Sequence, residues 1–204
     1  MNSIVNLGII AVTVIVSLLA FQRQDLLREL LLDPLAIKRR GQYYRLVSYG
    51  LVHADGQHLL FNMITLFFFG GLSERLISQY LGAGGYVLFY TAALVVSILP
   101  SYLQNRNNPH YLSLGASGAV SAVLFIYVIL APWSLIFVFF IPVPAIVFAA
   151  LYIGYSIYMD RRRSDNVNHS AHLVGALFGM LFVVIMEPRL LGNFFRQLLT
   201  PLAG

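Results

Sequence analysis

Apolar residues in this chain come in long runs interrupted by short charged clusters, and the interruptions define its organisation. A helix needs roughly 20 apolar residues to cross a hydrocarbon core, at about 1.5 Å of rise each. The runs predict six spanning helices, over about 4–21, 57–73, 86–103, 115–131, 137–159 and 169–186. A long polar and amphipathic loop from Gln22 to Asp55 separates the first two and carries Lys38-Arg39-Arg40 and Tyr43-Tyr44-Arg45. Ser73-Glu74-Arg75 forms the polar end of the second span, and Gly82-Ala83-Gly84-Gly85 leads into the third. From Asn107 to Met159 there is no Asp, Glu, Lys or Arg, a stretch too long for one span and suited to two. Pro132, Pro142 and Pro144 mark the break, Asp160-Arg161-Arg162-Arg163-Ser164-Asp165 closes the fifth span, and Glu187-Pro188-Arg189 ends the sixth. The fold class expected is therefore all-α, a polytopic six-helix membrane bundle forming one domain over 1–204, with no repeat of fixed period.

Composition agrees with lipid as the solvent. Hydrophobic residues make up 59% of the chain and charged residues 10%, where a soluble domain carries about 25% charged. The first run has no charged residue between Met1 and Gln22, so it lacks the basic start of a secretory signal and is expected to be a retained span. The absence of cysteine excludes disulfides, thiolate metal sites and a cysteine nucleophile. The basic residues behind the net charge of +5 sit in loops between apolar runs, which suits contact with anionic lipid headgroups rather than nucleic acid.

Polar groups inside spans need partners or a water-filled cavity, since an unpaired one costs several kcal/mol in lipid. His58 with Asn62, Ser117, and His172 stand out, in three different spans. Gly115-Ala116-Ser117-Gly118 sets a serine between glycines, which lets the backbone bend and a neighbour approach. An exposed nucleophile needs that, and so does ordinary tight helix packing. His172, Gly175 and Gly179 fall on one helix face, so the histidine points into a close helix contact. An imidazole facing a serine could accept its proton and activate it, although a structural or relay role is also open. His58 and Asn62, four apart, share a face and could donate to a developing negative oxygen, or could satisfy each other. A zinc protease would be expected to carry His-Glu-x-x-His on a helix, and the chain has no such motif.

Three motifs together resemble the rhomboid proteases across nearly the whole chain. The serine motif G-x-S-G appears as Gly115-Ala116-Ser117-Gly118, H-x-x-x-N as His58 to Asn62, and A-H-x-x-G-x-x-x-G as Ala171-His172 through Gly175 to Gly179. Their order on the second, fourth and sixth spans matches as well. The resemblance implies a six-helix core with a Ser117–His172 dyad inside the membrane, without an acidic third member. It implies Ser117 as nucleophile, His172 as general base, and His58, Asn62 and the Ser117 N–H around the oxyanion. His169, one turn before His172, is the competing base, and the glycine spacing with the motif favours His172. His53 resembles a structural position. Tyr44-Arg45 stands where the family usually has Trp-Arg, and Asp33-Pro34 and Gly70-Gly71 with Glu74 resemble structural landmarks.

The function implied is endopeptidase cleavage of transmembrane protein substrates, with no cofactor, in a multi-pass protein of the bacterial plasma membrane. The alternatives are an inactive rhomboid-like protein that binds and routes membrane proteins, or a transporter. Intact Ser117 and His172 argue against the first, and the lack of inverted repeats or intramembrane charge against the second. Most Lys and Arg residues fall in the loops after spans 1, 3 and 5, on the side of Ser117 and His172. The positive-inside rule would turn that side to the cytoplasm, whereas the family resemblance implies an outward-facing opening, the orientation adopted here.

Overall fold

The computed structural model describes residues 3–138, 140–162, 165 and 167–200. Phe139 of the fifth expected span, and Arg163 and Ser164 of the loop after it, lie outside the described residues. Helix α1 (Ile4–Gln22) is followed by three short helices, α2 (Gln24–Leu30), α3 (Pro34–Arg40) and α4 (Arg45–Ser48), then by α5 (Gly56–Asn105). Helix α6 (Ser117–Leu130), strands β1 (Leu135–Val138) and β2 (Ile141–Pro144), and helices α7 (Ala145–Arg162), α8 (His169–Met186) and α9 (Arg189–Leu199) complete the chain. The fold is mostly helical, and α5, α6 and α8 pack together at its centre.

Helix α1 docks through polar groups as well as apolar ones. Asn6, Thr13 and Ser17 are buried along one side of it. The Glu74 carboxylate, buried on α5, accepts from the backbone N–H groups of Val5 (3.2 Å) and Asn6 (2.8 Å). Those donors have no partner inside the helix, and a negative charge at a helix N-terminus is favourable. Asn6 also donates to the Leu66 carbonyl (2.9 Å) and accepts from the Tyr86 hydroxyl (2.9 Å). Gly70 leaves room for the Asn6 side chain where a Cβ would collide with it. Gly70 and Glu74 are therefore structural, as expected. Glu74 does not end a span, however; it sits within α5, paid for by the donors of α1.

Two boundaries differ from the expected ones for physical reasons. The second and third spans run on to Gly82 and from Gly84, because Gly82 adopts φ 70°, ψ 179° and turns the chain while helix continues on both sides. The fifth helix begins at Ala145 rather than near residue 137. Pro142 and Pro144 lack the N–H that helix interiors require, and the segment forms an antiparallel hairpin pairing Phe137 with Pro142 and Val138 with Ile141. Among the described residues, four helices are long and apolar enough to cross a membrane, over Ile4–Gln22, Gly56–Gly82, Gly84–Asn105 and His169–Met186. Helix α6 is apolar but has 14 residues, about 21 Å of rise. Helix α7 carries Asp160, Arg161 and Arg162 in its last turn.

The arrangement of outer loops follows from buried polar anchors. Asp33 accepts from the Ala36 N–H (2.9 Å) and caps α3, with Pro34 at the first helical position. Buried Arg45 donates to the carbonyls of Arg28 (2.9 Å) and Leu31 (2.7 Å), fixing α2 against α4. Just after the C-terminus of α8, Glu187 accepts from Tyr80 (2.6 Å) and pairs with Arg189 (2.7 Å). The Arg189 guanidinium, then the Tyr80 hydroxyl, hold its carboxyl down to about 2.

Helices α6 and α8 approach through glycine. A Cβ on Gly175 would overlap the Gly118 carbonyl, and one on Gly179 would overlap the Ala122 carbonyl. Gly179→Val is therefore expected to force these helices apart and cost about 1–3 kcal/mol, the range for overpacking a filled core. A lowered melting temperature in detergent is the measurement that checks it.

Candidate active site

Ser117 is the first residue of α6, and the backbone before it is held on both sides. Gly115 has φ 106°, a conformation that residues with a Cβ rarely adopt. Its N–H donates to the Tyr49 carbonyl (2.9 Å). The next N–H, of Ala116, donates to Nε2 of fully buried His53 (3.4 Å). Since that nitrogen accepts, the ring proton lies on Nδ1, which donates to Ser17 Oγ (3.0 Å). Ser17 in turn donates to the Leu51 carbonyl (2.8 Å). A buried chain of hydrogen bonds thus ties the turn before Ser117 to α1.

His172 reaches the same point from α8. Asn168 caps that helix by accepting from the Ala171 N–H (3.0 Å), while its amide donates to Ser101 (2.9 Å) and Tyr111 (3.0 Å). His172 Nε2 lies 2.7 Å from Ser117 Oγ. Among the described residues, no carboxylate hydrogen-bonds His172. His169 turns elsewhere, with Nε2 3.1 Å from Asp165 Oδ2, and that hydrogen bond holds the Asp165 carboxyl below its ordinary range. Of the two candidate histidines, His172 is the one against the serine.

The His172 ring is held between two others. Tyr152 of α7 stacks on it at 6.1 Å with an interplanar angle of 24°, and His169 meets it edge-on at 5.7 Å. The Tyr152 hydroxyl lies 2.6 Å from Ser121 Oγ, and Ser121 donates its single proton to the Ser117 carbonyl (2.8 Å). Tyr152 must therefore be the donor to Ser121.

His58 and Asn62 occupy the first turns of this region of α5. Asp55 caps the helix by accepting from the His58 N–H (2.8 Å). The His58 ring lies against Gly115, where a Cβ would overlap it, and its edge meets His53 at 4.9 Å. Asn62 is buried and gives one amide hydrogen to the His58 carbonyl (2.8 Å), leaving its second hydrogen for another acceptor.

Sequence reasoning passed over Tyr152, Ser121 and Asn168. Inside the apolar runs serine, histidine and asparagine stand out as polar residues, whereas a tyrosine in an aromatic-rich span gives no comparable signal. Asn168 was detectable, since an asparagine directly before an apolar run is a helix-start signal.

Residues 40–189 match the Rhomboid domain family model. The chain belongs to the rhomboid family. It is 32% identical over 152 residues to "RHOMBOID-like protein 12, mitochondrial" of Arabidopsis thaliana, covering 68% of this chain and 45% of that protein. It is 30% identical over 153 residues to "Rhomboid-related protein 1" of Caenorhabditis elegans, covering 72% and 41%. "Rhomboid protease GlpG" of Haemophilus influenzae is 34% identical over 92 residues, covering 45% and 43%. The chain thus spans less than half the length of these relatives. The rhomboid match and the apolar helices together identify an integral membrane protein. The relatives include a plant mitochondrial protein and bacterial proteases, so the rhomboid family points to a bilayer rather than to one organelle. The rhomboid match includes His53, His58, Asn62, Ser117, Ser121, Tyr152 and His172.

The Gly115 conformation gives a direct test of how this rhomboid site is held. Gly115→Ala must either displace the His58 ring or change the turn, at an expected cost of about 1–3 kcal/mol for the backbone strain. Thermal unfolding in detergent should show the loss, and the His58 imidazole resonances should shift relative to the unsubstituted protein.

Proposed function

We propose that this rhomboid is an intramembrane serine endopeptidase that cleaves transmembrane segments of membrane proteins through a Ser117–His172 dyad. The observation carrying the reading is the 2.7 Å separation of Ser117 Oγ and His172 Nε2. At that distance the imidazole can take the hydroxyl proton as oxygen attacks a peptide carbonyl. His172 then protonates the leaving amine, giving an acyl-enzyme on Ser117. Water, deprotonated by the same imidazole, releases the new carboxylate and restores the serine.

The oxyanion would form beside the turn before α6. The Ser117 N–H lies at a helix N-terminus, where backbone donors lack intrahelical partners. His58, against Gly115, and the uncommitted amide hydrogen of Asn62 are the side-chain donors in this reading. Such donors can replace a carboxylate's contribution, because oxyanion stabilisation is often the largest catalytic term. The stacked ring of Tyr152 would keep His172 in the plane that proton transfer requires.

The proposed setting is a single rhomboid unit over 1–204 with six spans, of which α6 and α7 are the two short or charge-ended ones. Helix α6 supports a submerged site. If Leu130 stands at one boundary of a roughly 30 Å hydrocarbon core, Ser117 stops about 10 Å short of the other. Substrates would then be membrane proteins whose helices unwind locally to present a carbonyl, with a bacterial plasma membrane as the proposed location.

The decisive assay uses purified protein in detergent with a generic single-span substrate. Ser117→Ala and His172→Ala are each expected to abolish cleavage while leaving the melting temperature nearly unchanged. Cleavage by either variant would remove the dyad assignment and leave a binding role for the same fold. His58→Ala and Asn62→Ala should each lower kcat by less than the roughly 10²- to 10³-fold seen for loss of a sole oxyanion donor. An unaltered kcat in the double variant contradicts their oxyanion role. Tyr152→Phe should retain more activity than Tyr152→Leu, since the ring stacks on the imidazole and the hydroxyl only reaches Ser121. Equal activity of the two variants would mean that stacking does not position His172.

A further inference from the structure

Helix α9 has no buried residue, and its apolar and polar residues separate cleanly. At about 100° per residue, Arg189, Asn193, Arg196 and Gln197 share one side. Leu190, Phe194 and Leu198 form the protein-facing edge of the other side, and Leu191, Phe195 and Leu199 form its outer edge. Those outer residues are 40%, 55% and 84% exposed.

The level of this helix in the fold is fixed. Only Glu187 and Pro188 separate it from Met186, the last residue of the spanning helix α8. Gln197 donates to the Leu130 carbonyl at the end of α6 (3.3 Å), and the Trp133 indole N–H donates to the Gln197 carbonyl (3.0 Å). A helix joined within two residues to the end of a spanning helix, and bonded to the end of a second apolar one, lies at a membrane boundary. There its outer apolar edge would meet acyl chains and its polar side water and headgroups. Arg189 is neutralised by Glu187, whereas Arg196 has no ion pair among the described residues.

We propose that α9 lies flat in the bilayer interface on the side opposite Ser117, with Phe195 and Leu199 in the acyl region and Arg196 on anionic phospholipid headgroups. The lipid contact would thereby fix the depth of the α6 terminus through Gln197. This follows from membrane residence and the α9 contacts, and does not depend on the protease reading.

Trp133 is the chain's single tryptophan and is bonded to α9, so its fluorescence reports the level directly. The protein is reconstituted into phosphatidylcholine vesicles, with and without phosphatidylglycerol, carrying quenchers at a shallow or a deep acyl position. The shallow quencher should reduce Trp133 emission more than the deep one. Phosphatidylglycerol should strengthen that difference in the unsubstituted protein and not in Arg196→Gln. The double variant Phe195→Ser, Leu199→Ser should weaken shallow quenching and shift emission to the red. Absence of quenching at both depths, stronger deep than shallow quenching, or quenching lost only when two copies associate would overturn the proposal. If the double variant fails to fold, the depth profile of the unsubstituted protein and the Arg196→Gln comparison decide.

Discussion

The site depends on how closely α6 and α8 can approach. In lipid, apolar side chains gain little by leaving one hydrocarbon environment for another, so helix association rests on fit and on polar contacts. Here the fit is backbone against backbone: Gly175 over the Gly118 carbonyl and Gly179 over that of Ala122. Ser117 and His172 sit at the ends of the same two helices. Their 2.7 Å separation is thus a product of the glycine seam, and a methyl group in the seam would act on both residues without touching either.

Neighbouring contacts hold the ends of these two helices. Gly115 turns the chain into α6, His53 and Tyr49 hold the turn, and Asn168 sets where α8 begins. The His53 contact is buried, and in a low-dielectric interior such a contact is costly to break, while the Asn168 cap is partly buried. Helix α7 contributes differently. Its Tyr152 lies over His172 and is bonded to Ser121, so one residue of α7 touches both the imidazole on α8 and a hydroxyl on α6.

Much of this was legible from residue order. Gly115 to Gly118, His58 with Asn62, and His172 with its two glycines stood out because polar and small residues in apolar runs require a reason. Glycine spacing and the family motif together favour His172 over His169, and in the structure His172 faces Ser117 while His169 faces Asp165. Chain breaks were less legible. Glu74 reads as the end of a span because charge normally leaves lipid, but its carboxylate is satisfied by the N-terminus of α1, a partner almost seventy residues away. The start of the fifth helix was obscured because a hairpin of apolar strand residues has the same hydropathy as a helix. Tyr152 was hidden for a similar reason, since nothing local distinguishes a tyrosine that faces lipid from one that lies over a histidine.

Helix α1 shows that insertion into lipid and assembly into a bundle can make opposite demands on one segment. Its outer residues, such as Ile4 and Ile15, are exposed and give it affinity for hydrocarbon, while Asn6 and Ser17 are buried against the bundle. Replacing Asn6 by leucine would raise the segment's hydropathy and ease its entry into the bilayer. The same change would remove the acceptor for Tyr86 and the donor to Leu66. The more lipophilic helix would then be the poorer subunit of its own fold, inserted readily and left undocked.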